Sequence, residues 1–96
     1  MNRDEIVLVL SQFRDRNKTK YNIIKMGVFG SVARNKIADE SDIDIVVQLG
    51  KQDLFNLIGI KQDLEEQLNR KVDIVSYREK MNRFLKHKID NEAIYV

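Results

Sequence analysis

Helical stripes alternating with short apolar runs predict a two-layer α/β (α+β) domain for this chain. Three observations carry that expectation. Residues 4–16, 54–68 and 81–89 place apolar side chains at helical spacing, whereas 23–29, 43–49 and 72–76 are apolar runs of strand length. Proline is absent, and neither an internal repeat nor a low-complexity stretch breaks the pattern, so no linker is visible. At 96 residues, 43% of them hydrophobic, the chain supplies one modest core, and residues 1–96 are expected to form a single domain.

Asp4 to Arg16 carries Ile6, Val9, Leu10 and Phe13 on one helical face, with acids at its start and Arg14 and Arg16 at its end, the order a helix dipole favours. Taken alone, Ile6–Leu10 also suits a strand by composition. Asn17–Asn22 reads as a polar, basic connection. Ile23–Phe29 is the first expected strand, in which Gly27 marks a close backbone approach. A short helix is expected from Ser31 to about Asn35, with Ser31 as its N-cap, and then a loop to Ser41.

Ile43–Leu49 is the second strand, apolar enough to be covered on both faces. Gly50–Asp53 reads as a turn and helix cap. Leu54, Leu57, Ile58, Leu64 and Leu68 then recur with helical period. Gly59 inside that helix costs about 1 kcal/mol against Ala, so packing must justify it. Val72–Ser76 is the third strand. Met81, Phe84, Leu85 and Ile89 stripe a last helix, and Ala93–Val96 closes as a short strand.

Composition narrows the setting. With no cysteine there is neither a disulfide framework nor a thiolate metal site, which suits a reducing cytoplasm. No apolar run approaches bilayer length, and Met-Asn-Arg-Asp-Glu lacks the shape of a signal peptide, so a cytoplasmic protein without a membrane partner is expected. A net charge of +2 neither demands nor excludes nucleic acid.

The chemistry concentrates between Val28 and Val47. Gly30-Ser31 follows the first strand, where helix N–H groups would face outward and offer a seat for a phosphate. Gly30 lets backbone approach the phosphates without a side chain in the way. Asp42 and Asp44 lie two residues apart, so on an extended strand both carboxylates project from one face. Side by side they repel and call for a cation. Hard oxygen donors point to Mg²⁺ shared with nucleotide phosphates. Taken singly, each feature also has an ordinary reading: a strand-to-helix turn for Gly30-Ser31, solvated strand-entry acids for Asp42 and Asp44.

Gly-Ser, ten residues, then Asp-x-Asp resembles the signature of the DNA polymerase β-like nucleotidyltransferase superfamily, closest to its minimal nucleotidyltransferase (MNT) domains. The resemblance spans positions 30–75, because the family's third carboxylate, on a later strand, matches Asp73 in Lys71-Val-Asp-Ile-Val75. It implies a nucleotidyltransferase fold, a small mixed sheet with helices packed on one side. It implies ATP as substrate and two Mg²⁺ ions held by Asp42, Asp44 and Asp73, with Asp73 helping to deprotonate the acceptor. Gly30 and Ser31 would bind the phosphates, and Arg34 would reach the triphosphate or pair with a nearby acid. Family members often have Gly after this Arg, where this chain has Asn35.

Stand-alone MNT proteins commonly pair with a HEPN-domain protein in a toxin–antitoxin module. The resemblance therefore implies an antitoxin that transfers AMP to a tyrosine of a HEPN toxin within a hetero-oligomer, without requiring nucleic acid. Two rivals remain open on sequence: a non-catalytic binding module, and transfer to a small molecule or nucleic-acid end. Arg78, Lys80, Arg83, Lys86 and Lys88, with His87, make the C-terminal segment basic, by default a solvated helix face and alternatively a phosphate- or RNA-facing surface. For Phe55, Tyr21, Tyr77 and Tyr95, packing is the first expectation and base stacking the second.

Overall fold

The computed structural model describes residues 1–37 and 41–96; residues 38–40 of the loop expected before Ser41 lie outside the described residues. Helix α1 runs from Arg3 to Tyr21 and opens with a capping box: Asn2 accepts from the Glu5 N–H, and Glu5 accepts from the Asn2 N–H. It therefore continues past Arg16, through the stretch expected as a connection. Residues 17–20 show no helical stripe because they present only polar side chains, yet no Gly or Pro stops the helix there. Tyr21 returns the chain to the core. Its ring is buried and stacks on Phe13 with centroids 6.3 Å apart. Asn22 then ends the helix in the left-handed conformation, φ 56°.

Strand β1 spans Ile23–Phe29, β2 Ile43–Leu49, β3 Val72–Ser76 and β4 Ile94–Tyr95, in the order β3-β2-β1-β4. β1 is antiparallel to β2 and β4, and β2 is parallel to β3, which makes the sheet mixed as expected. Helix α3, Leu54–Leu68, connects β2 to β3, capped by the Asp53 carboxylate on the Phe55 and Asn56 N–H groups. α1 and α3 pack on one face of the sheet. Ile6, Leu10, Phe13, Ile60, Leu64 and Leu68 meet Met26, Val28, Ile43, Ile45, Val47 and Val72 there. Fully burying one such aliphatic side chain is worth about 1.5–3 kcal/mol.

Both glycines singled out have packing reasons. A Cβ on Gly27 would meet the Ile94 carbonyl, so β4 can lie against β1 only over a glycine. A Cβ on Gly59 would press on the Tyr21 hydroxyl at 3.0 Å, and that hydroxyl donates to Asp63 at 2.8 Å. Removing side-chain bulk at Gly59 thus admits a hydrogen bond joining α1 to α3.

Two short helices complete the chain. α2, Gly30–Ala33, has Phe29 rather than Ser31 at its N-cap position and no side-chain cap. Ser31 lies inside the helix because the chain turns one residue earlier, at Gly30 with φ 68°. α4, Arg83–Glu92, starts after Asn82, whose side chain accepts from the Leu85 N–H. Met81 precedes it, and Phe84 is 89% exposed instead of joining the buried stripe. Ile89 of α4 forms a second, smaller cluster with Phe29 and Val46, edged by Val75, Tyr77, Met81 and Leu85.

Candidate active site

Side chains alternate along a strand, so residues in register share a face. Phe29, Asp44 and Asp73 form one such row across β1, β2 and β3, and Gly27, Val46 and Val75 form the next. Val46 belongs to the cluster under α4, so Asp44 and Asp73 stand beside that cluster, away from the main core. Strands in a sheet lie about 4.8 Å apart, which makes the two acids direct neighbours. Asp42 sits two residues before Asp44, where β2 begins. The Ile43 N–H donates to the Lys71 carbonyl at 2.9 Å and fixes that entry beside β3. Asp42 and Asp73 are exposed and Asp44 is half-buried.

Burial pushes the Asp44 carboxyl above the usual carboxylate range. The charge of Asp73, and less strongly that of Asp42, pushes it further, while Lys88 and Arg34 pull it back. Asp44 is thus the electrostatic centre of a cluster joining three acids to two cations. Gly30 is held against it: a Cβ there would land on Asp44 Oδ2, and the positive φ independently favours glycine. Ser31 follows in α2 and is half-buried.

Arg34 closes α2 and pairs with an acid. Its Nη1 donates to both Glu92 oxygens, at 3.1 and 3.0 Å, and Glu92 Oε2 also accepts from the Gly30 N–H at 3.3 Å. Of the two roles open to Arg34 on sequence, the ion pair is the one present in this structure. The outward N–H expected at the Gly-Ser turn already has a carboxylate on it.

The six residues singled out therefore gather around one end of β2. Among the described residues, no three His, Cys, Asp or Glu side chains converge closely enough to hold a metal ion. The donor set nonetheless suits Mg²⁺: three carboxylates, no soft ligand, and mutual repulsion that a cation would relieve. Sequence reasoning missed Glu92, and named Lys88 only within the basic C-terminal segment. They lie four residues apart on α4, on either side of buried Ile89; Glu92 is half-buried, whereas Lys88 is exposed and acts on Asp44 through its charge. The available signal was Ile89 itself, which orients the helix. The basic run around it read by default as a solvated face, with a phosphate- or RNA-facing surface as the alternative.

The sequence profile of the family described as Polymerase beta, Nucleotidyltransferase matches residues 12–96. A candidate protein adenylyltransferase of Methanocaldococcus jannaschii is 40% identical over 78 residues, covering 80% of this chain and 83% of that protein. A solved candidate minimal nucleotidyltransferase superposes with a TM-score of 0.80 at 27% identity, over 98% of this chain and 95% of its own. A chain from the complex of a tri-AMPylated Shewanella oneidensis HEPN toxin with an MNT antitoxin shares the fold. Its TM-score is 0.58 at 20% identity, over 90% of this chain and 71% of its own. Among the described residues, no helix is long and apolar enough to cross a membrane.

Proposed function

Because the chain belongs to the polymerase β-type nucleotidyltransferase family, we propose that it transfers AMP from ATP to a tyrosine hydroxyl of a partner HEPN toxin, acting as antitoxin. The observation that carries the chemistry is the row of acids in register, Asp44 beside Asp73 with Asp42 at the strand entry, set against the Gly30 turn. Adenylyltransferase relatives and the AMPylated toxin complex supply the donor and the class of acceptor.

Two Mg²⁺ ions, when bound, would neutralise phosphate charge and lower the acceptor hydroxyl's pKa. Asp42, Asp44 and Asp73 are the residues that would hold them. Asp73, exposed at the edge of the row, takes the acceptor proton as the hydroxyl oxygen attacks the α-phosphorus and pyrophosphate leaves. Gly30 and Ser31 present backbone N–H groups to the leaving phosphates, and Arg34 supplies positive charge beside them. Little covalent work falls to the protein, so alignment of donor and acceptor dominates.

Incubation with a HEPN partner and α-labelled ATP is expected to label the partner, whereas γ-labelled ATP is not, since the γ-phosphate departs in pyrophosphate. Asp42→Asn/Asp44→Asn abolishes labelling and leaves the protein complex intact. Labelling from γ-labelled ATP would mean kinase chemistry. A double mutant that neutralises the toxin as well as wild type would make the protein a binding module.

A further inference from the structure

Glu92 is the last residue of α4, and its carboxylate grips both elements that would meet a triphosphate. It accepts from the Gly30 N–H at 3.3 Å and from Arg34 Nη1 through both oxygens at 3.1 and 3.0 Å. A backbone N–H at a glycine turn beside a guanidinium is the donor pair that binds phosphate oxygens in general. Here the protein's own oxyanion occupies that pair. Two anions cannot share it without strong repulsion at such range.

The backbone around Glu92 is fixed. Ile89 is fully buried one turn earlier, the Ala93 N–H donates to the Ile89 carbonyl, and β4 follows at once, pinned by the Val96 N–H on the Met26 carbonyl at 2.9 Å. Its side chain is 26% exposed, so it has solvent to rotate into. The Arg34 side chain is 45% exposed, and an ion pair this open to water is weak enough to exchange partners.

We propose that Glu92 is a resident anion in the triphosphate subsite of the free protein, displaced by the phosphates of the incoming nucleotide, to which Arg34 then transfers. This rests on the nucleotide reading given above. The exchange needs only a side-chain rotation, because α4 and β4 stay docked. It makes the site selective for polyphosphate. A ligand must bring enough negative charge, partly neutralised by its cation, to take Arg34 from Glu92. Lys88, one turn before Glu92 and acting on Asp44, keeps positive charge at the site while Arg34 changes partner.

Glu92→Gln keeps the side-chain shape and removes the competing charge. Calorimetric titration of wild type and E92Q with a non-hydrolysable ATP analogue plus Mg²⁺, with tripolyphosphate plus Mg²⁺, and with adenosine separates the outcomes. E92Q is expected to bind the analogue and tripolyphosphate about tenfold tighter, the scale of one charged hydrogen bond, with adenosine unchanged. In an Arg34→Ala background the gain from E92Q shrinks to about twofold, because Glu92 has lost its main anchor. A purely structural Glu92 would not discriminate between phosphate-bearing ligands and adenosine. If wild type binds the analogue and E92Q binds it equally or more weakly, the resident-anion proposal fails and the AMP-transfer reading stands. If neither protein binds the analogue, both fail.

Discussion

The two faces of the sheet answer different demands. Facing α1 and α3, β1 and β2 present Met26, Val28, Ile43, Ile45 and Val47, apolar and buried without exception. The opposite face of the same strands carries Asp44 in register with Asp73, a half-buried carboxylate beside a like charge. The two carboxylates add nothing to the packing, whereas Phe29 and Val46 on the same face hold α4 through the smaller cluster. The raised pKa of Asp44 says that folding disfavours its charged form, which is the reverse of stabilisation. One face is given wholly to the main core, and the other sets repelling carboxylates beside a smaller apolar cluster.

The largest break in this comparison comes from the core face. Ile45→Ala removes a fully buried side chain from the middle of β2 and is expected to cost about 2–5 kcal/mol. In a chain of this size that is a large part of total stability, read as a shift in the urea midpoint. The same strand's Asp44, one residue away, should tolerate truncation of its charge with no such loss.

Gly30→Val tests the turn between the faces. The new side chain would strike Asp44 and adopt a positive φ, costing about 1–3 kcal/mol through strain and overpacking. The folded fraction should lose nucleotide binding in titration. Unchanged affinity would move the nucleotide elsewhere. Tyr21→Phe keeps the ring on Phe13 and deletes only the hydrogen bond to Asp63, so about 1 kcal/mol is expected by denaturation, with AMP transfer unaffected. A drop in transfer would mean that the α1–α3 seam reaches the site.

The legible parts of this molecule are those whose cause is local. β1, β2, α3 and β3 coincide with their expected bounds, because apolar runs and the Asp53 cap declare themselves in sequence. The tail of α1 did not, since seven residues separate Phe13, the last of its stripe, from Tyr21, and only a buried tyrosine shows that the helix goes on. Phe84 matched the stripe by spacing, yet α4 turns Ile89 and Leu85 to the sheet and leaves Phe84 outside. That Gly30, Asp42, Asp44 and Asp73 lie together was legible because one spacing and one strand parity relate them. Glu92 was not, because its partner Arg34 lies 58 positions away and only the docking of α4 brings them together.

The smallest effect is the most direct. A carboxyl whose folded pKa lies above its unfolded value holds its proton more tightly in the fold. In metal-free buffer, stability should therefore fall as pH rises from the ordinary carboxylate range through the raised Asp44 pKa, and then level off. Asp44→Asn removes that loss. Discounted for partial exposure, the gain at neutral pH is about 1 kcal/mol or less, a rise of a few degrees in melting temperature. Melting curves of wild type and Asp44→Asn, each with Mg²⁺, with ATP and with both, put the account to the test. Wild type should gain more from the pair than from either alone, while Asp44→Asn should start higher and gain little. A mutant that starts lower than wild type yet keeps the full joint shift would contradict the account.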